Sequence, residues 1–132
     1  MFSKHAEVVV YRPLILSPKQ GTFLGALWIA VMKQRDGGLG AGVERADFAD
    51  LIFTAQNRGL LDPSIQFFSK EELWRTAAAL AQLNFVYLPE TGGTIGFLGS
   101  SLMELPTLVF RYIKFWKFAE LCNEFTGGGD DR

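Results

Sequence analysis

Ser69-Lys70-Glu71-Glu72-Leu73-Trp74-Arg75-Thr76-Ala77-Ala78-Ala79-Leu80-Ala81-Gln82-Leu83 runs without a break into Asn84-Phe85-Val86-Tyr87-Leu88, and this stretch decides the fold. Ser69 followed three residues later by Glu72 is a capping box, in which two otherwise orphaned backbone donors are satisfied reciprocally. Leu73, Ala77 and Leu80 recur at helical spacing and face inward, so the pattern predicts a helix to about Leu83. Beyond it, Asn84 to Leu88 and Thr94 to Leu98 are β-prone runs separated by Pro89-Glu90-Thr91-Gly92-Gly93. Two such runs around a proline and glycine turn predict a hairpin directly after the helix.

Working outward, Ser17-Pro18-Lys19-Gln20 supplies a cap, a proline at the first helical position and a reciprocal glutamine. A first helix is expected from Pro18 to Gln34, with Leu24, Leu27, Trp28 and Val31 on one face and Gly37-Gly38 beyond its end. Its apolar part, Gly21 to Met32, lies between two lysines and is shorter than the about 20 residues a bilayer span needs, so it reads as a core helix. Leu39 to Val43 is a glycine-rich connector with room for one short strand. Glu44 to Arg58 is expected as the second helix, buried through Phe48, Leu51, Ile52 and Ala55, with Asp47 and Asp50 near its positive end and Gly59 after it. In Leu60 to Phe68, Asp62-Pro63 forms a turn and Ile65, Phe67 and Phe68 plug the core. His5 to Tyr11, with its Val8-Val9-Val10 run, predicts a short strand or arm. A last helix is expected from Pro106 to about Phe125, and Thr126 to Arg132 is a glycine and acid tail with no apolar anchor.

These elements predict an α+β fold in a single domain over residues 1–125, with a core at 18–98, a C-terminal helix at 106–125 and a flexible tail at 126–132. A chain of 132 residues with 48% hydrophobic and 14% aromatic residues can bury a sufficient core unaided. From Pro18 to Leu98 the order of helix, short strand, helix, helix and hairpin resembles the winged-helix superfamily, with Ser69 to Leu83 in the place of that family's recognition helix and Asn84 to Leu98 in the place of its wing. The resemblance implies a three-helix core with a C-terminal hairpin, to which this chain adds an N-terminal arm and a C-terminal helix. Arg58 to Phe68 is longer than the short turn expected between the second and third helices.

The resemblance implies that the third helix would enter a DNA major groove, where Lys70, Arg75, Thr76 and Gln82 would meet phosphates and bases. The charges disagree with this. The net charge is -1, Glu71 and Glu72 sit where phosphates would approach, and the wing tip carries Glu90 with no lysine or arginine. DNA binding therefore ranks second. The last helix carries Leu108, Val109, Phe110, Tyr112, Ile113, Phe115, Trp116, Phe118, Leu121, Cys122 and Phe125, and it reads as apolar around most of its circumference. Either it is buried centrally or its second face meets a partner. Arg111, Lys114 and Lys117 interrupt the apolar run at a spacing of three. Phe110, Arg111, Lys114, Phe115, Trp116, Lys117 and Phe118 are therefore the candidate partner or dimer interface, because aromatics and arginine are enriched in interface cores. A membrane-surface reading of the same strip is weakened by Glu120 and Glu124.

The sequence carries no GxSxG, GxxxxGK[ST], HExxH or CxxC pattern, and Gly37 to Gly42 follows a helix where a dinucleotide cradle would follow a strand. Glu71 and Glu72 are adjacent on a helix and point apart, so they make no acid/base pair. One histidine, His5, and one cysteine, Cys122, cannot build a zinc cluster, and Cys122 sits among apolar neighbours as a buried thiol. A lone cysteine and an N-terminus without a signal-peptide pattern make the reducing cytoplasm the expected compartment. The expected function is a non-enzymatic binding module, an adaptor, inhibitor or regulatory subunit that acts through protein contacts and self-associates through its last helix. No cofactor, metal or membrane is expected among its partners.

Overall fold

The computed structural model describes residues 16–33, 42–62, 68–89, 93–98 and 107–126. Within them lie α1 (Pro18–Met32), β1 (Val43–Glu44), α2 (Arg45–Asn57), α3 (Lys70–Gln82), β2 (Val86–Tyr87), β3 (Thr94–Phe97), a 3-10 helix (Thr107–Tyr112) and α4 (Phe115–Thr126). The protein is α+β: a helical core carries a small antiparallel sheet of order β1-β3-β2. The expected strand at His5 to Tyr11, the plugs Ile65 and Phe67, the wing-tip Glu90 and the tail after Thr126 lie outside the described residues.

Local chemistry sets the helix ends. Ser17 accepts from the Gln20 N–H at 3.1 Å while Gln20 accepts from the Ser17 N–H at 2.9 Å, and Ser69 and Glu72 repeat the exchange at 3.1 Å each way. Both α2 and α3 end in a Schellman motif. Gly59 (φ 73°) and Asn84 (φ 67°) take the left-handed conformation that reverses the chain. The N–H groups of Leu60 and Phe85 then donate back to Ala55 and Leu80. Leu60 and Phe85 are themselves buried, so each reversal is anchored in the core.

The central element is α1. It buries Phe23, Leu24, Ala26, Leu27, Ile29 and Val31, which do not share one stripe, and it meets α2, α3, α4, β1 and the 3-10 helix. Each of these side chains larger than Ala26 contributes roughly 1.5–3 kcal/mol on burial. Thr22, fully buried among them, bonds its hydroxyl to the Pro18 carbonyl at 2.8 Å. In the sheet, Val43 pairs with Ile95 and Val86 with Phe97, putting these four on the inner face. Tyr87 stands exposed on the outer face opposite Gly96, where an aromatic ring can cover a glycine that leaves its strand bare. Gly42 lies so close to β3 that a Cβ there would come within 2.8 Å of the Ile95 carbonyl oxygen, which leaves room only for glycine.

The C-terminal segment differs from expectation. The single helix predicted from Pro106 to Phe125 is two pieces, broken at Ile113 and Lys114. The break has a tertiary cause. Leu61 and Ile113 form an antiparallel bridge, with the Asp62 N–H donating to the Tyr112 carbonyl (2.8 Å) and the Lys114 N–H to the Leu60 carbonyl (2.9 Å). Backbone groups committed across the chain cannot also serve a continuous α-helix. Restarting at Phe115 aligns Phe115, Phe118, Ala119 and Cys122 at helical spacing toward the core. Phe118, expected at a partner interface, is thus 0% exposed and belongs to the core of its own chain. Leu121 and Cys122 are buried with it, and Arg58, which caps the end of α2, meets Glu124 at 3.3 Å. The helix with apolar residues buried around its axis is α1, and α4 is one-sided.

Candidate functional site

Two surface features stand out among the described residues. The first is built on α4. The rings of Trp28 and Phe110 meet edge to face at 5.3 Å, Phe110 and Phe115 at 5.4 Å, and Phe115 and Trp116 at 5.0 Å. The series begins in α1 and ends at an indole that is 78% exposed. Edge-to-face contacts fix ring orientation, so Trp116 is held at its base although its face is bare. Arg111, Lys114 and Lys117, within five residues of it along the chain, are exposed as well. Of the seven predicted interface residues, Trp116 and these three cations lie at the surface, Phe110 and Phe115 are half-buried supports, and Phe118 is core.

The second feature is a groove of about 430 Å³ between α2, the first half of α3 and the hairpin turn. Ala49, Phe53 and Trp74, all partly buried against the core, form its apolar floor. Glu44, Asp50, Arg45 and Lys70 line it as well. Arg45 organises one end. Its N–H donates to the Gly93 carbonyl (3.0 Å), its guanidinium donates to the Pro89 carbonyl (2.8 Å), and the same group lies 4.5 Å from the Trp74 ring centre. The two ends of the hairpin turn are thereby tied to the start of α2, and the groove wall is fixed.

The groove was not visible in the sequence because its floor comes from separate helices. A signal exists nonetheless. Phe53 and Trp74 are aromatic residues outside the inward stripes of their own helices, and such residues on consecutive helices mark a surface between them. Of the residues assigned to DNA reading, Lys70 lines the groove. Arg75 is exposed and faces Glu71 at 3.9 Å, Thr76 is half-buried, and Gln82 is exposed on the last turn. Glu72 is held by Lys19 at 3.0 Å, so α3 presents matched charges.

Among the described residues, the ionisation of Glu72 and Cys122 is perturbed. The Ser69 N–H and then the Lys19 ammonium hold the Glu72 carboxyl below its ordinary range. Burial pushes the Cys122 thiol up to about 12, against a weaker opposing pull from Lys33. Neither group sits in the groove. Among the described residues there is no cluster of three histidine, cysteine or acidic side chains that could hold a metal, and no helix is long and apolar enough to cross a membrane. The chain matches no family model, no curated protein and no solved structure.

Proposed function

We propose that this protein is a non-enzymatic binding module of winged-helix-like build, which works through protein contacts and self-associates through the surface around Trp116. The observation that carries this reading is the 78% exposure of an indole backed by three aromatic rings, on a segment that also exposes Arg111, Lys114 and Lys117. A rigid, bare tryptophan beside arginine and lysine is the composition of an interface centre, since Trp and Arg dominate the residues whose truncation weakens complexes. The element order and the β1-β3-β2 sheet support the winged-helix resemblance. The charge pairing on α3 speaks against a polyanion as its main partner, because phosphate binding depends on unneutralised lysine and arginine.

Light scattering across a concentration series, on the parent and on Trp116→Ser, tests the reading. The parent should associate reversibly, and the variant should be a folded monomer. A parent that stays monomeric throughout, or a variant that associates equally well, overturns it. Fluorescence anisotropy with a DNA duplex at low salt provides the opposing arm: salt-sensitive binding weakened by Arg75→Ala would favour a DNA-reading protein instead.

A further inference from the structure

We infer that the groove between α2 and α3 is the receptor for Trp116 of a second copy of this chain. The inference rests on the self-association proposed above and adds the surface that receives the indole. The two surfaces share no residue, so one chain carries both a projecting group and a recess.

Shape and charge both match. The projecting group is a single aromatic side chain on a supported base, with Lys114 and Lys117 beside it. The recess, at about 430 Å³, falls in the roughly 300–1,000 Å³ range of pockets that enclose small ligands, and it can take an indole with room to spare. Its floor of Ala49, Phe53 and Trp74 is apolar, as an indole face requires. Its acids, Glu44 at the end of β1 and Asp50 on α2, answer the lysines that flank Trp116. Lys70 on the opposite wall can meet Glu120, which is exposed one turn along α4 from Trp116. Arg45 stacked on Trp74 keeps that wall from collapsing into the recess. An indole inserted there would be surrounded by aromatic and arginine groups, the setting in which interface residues contribute most.

A contact between two different surfaces can be tested by complementation. Trp116→Ser removes the projecting group, and Ala46→Arg obstructs the recess from an exposed position that is not in the core. Asp50→Lys, also exposed, reverses a charge in the recess and serves if Ala46→Arg does not fold. Each variant alone should lose association, with the dissociation constant rising roughly 30-fold or more, the change corresponding to a hot-spot loss of about 2 kcal/mol. An equimolar mixture of Trp116→Ser with a recess variant should regain a complex of two chains, because one supplies an intact indole and the other an intact recess. Sedimentation velocity with circular dichroism as the folding control reads all of these. If the parent associates and Trp116→Ser abolishes it while both recess variants associate normally, self-association stands and the groove assignment falls. If recess variants dissociate but the mixture does not recover, the groove assignment also falls. A monomeric parent sinks both.

Discussion

Gln56 on α2 holds the backbone of Phe68 through both polar atoms of its side-chain amide: the nitrogen donates to the Phe68 carbonyl at 3.3 Å, and the oxygen accepts from the Phe68 N–H. One side chain thereby satisfies the backbone of a buried residue two positions ahead of α3. Gln56 is itself buried, and among the described residues no buried side-chain nitrogen or oxygen lacks a partner. Gln56→Ala would leave two buried backbone groups unmet, each costing about 1–3 kcal/mol, so a loss of roughly 2–4 kcal/mol is expected in urea unfolding. Gln56→Glu keeps the acceptor but loses the donor and buries a charge. Its deficit should shrink on acidification, as the carboxyl gains a proton to donate. A Gln56→Glu protein with an unfolding midpoint as high as the parent's at pH 7 would show that this clamp contributes little.

Phe118 and Trp116 lie two residues apart on α4 with opposite exposure, which predicts opposite consequences of truncation. Phe118→Ala should cost about 3–5 kcal/mol, the usual result of emptying a buried aromatic site. Trp116→Ser should stay within about 0.5 kcal/mol of the parent as a monomer, because its indole is 78% exposed and its ring contact is with the half-buried Phe115. Thermal unfolding under dilute conditions compares the two directly. Similar losses for both would mean that the indole is part of the fold.

How far the sequence anticipates this structure depends on the range of the interactions. Ser17 with Gln20 and Ser69 with Glu72 are contacts across three residues, so their geometry follows from spacing alone, and both helix starts are found where the spacing puts them. The hairpin is equally local. The break at Ile113 is not, because it arises from a bridge to Leu61 that is far away in the chain. A periodicity argument that assumes one continuous helix consequently assigns Phe118 to the outside. The groove is illegible for the same reason: Phe53, Trp74 and Arg45 meet only after α2 and α3 have packed and the hairpin has closed on them.

Glu72 links the start of α3 to Lys19 of α1, and its ionisation should appear in the pH dependence of stability. Its carboxyl is held below the ordinary glutamate range in the folded state, first by the Ser69 N–H and then by Lys19. A group with a depressed folded pKa binds its proton more readily when unfolded. It therefore contributes stability above the ordinary glutamate value and loses it as pH falls through the lower folded value. Glu72→Gln retains the capping geometry without the charge. The stability gap between parent and variant should be open at pH 7 and should close as the solution is acidified past the glutamate range. A gap that is constant with pH would assign the stabilisation to the cap alone.

Cys122 reports on how firmly α4 is docked. Its thiol is 1% exposed, and burial raises its pKa to about 12, so the reactive thiolate is scarce in the native state and shielded as well. Modification by a disulfide reagent at pH 8 should therefore wait for α4 to detach from α1 and α2. Two interactions resist that opening directly: the Leu61–Ile113 bridge ahead of the helix and the Arg58–Glu124 pair along it. The second is exposed and contributes at most about 1 kcal/mol, so Arg58→Ala should accelerate labelling no more than about fivefold. A deeper disturbance such as Phe118→Ala removes core packing and should accelerate labelling by two orders of magnitude or so, in line with a loss of about 3 kcal/mol. Rapid labelling of the parent, at the rate of a free thiol, would mean that α4 spends much of its time undocked and that Trp116 has no fixed platform from which to project.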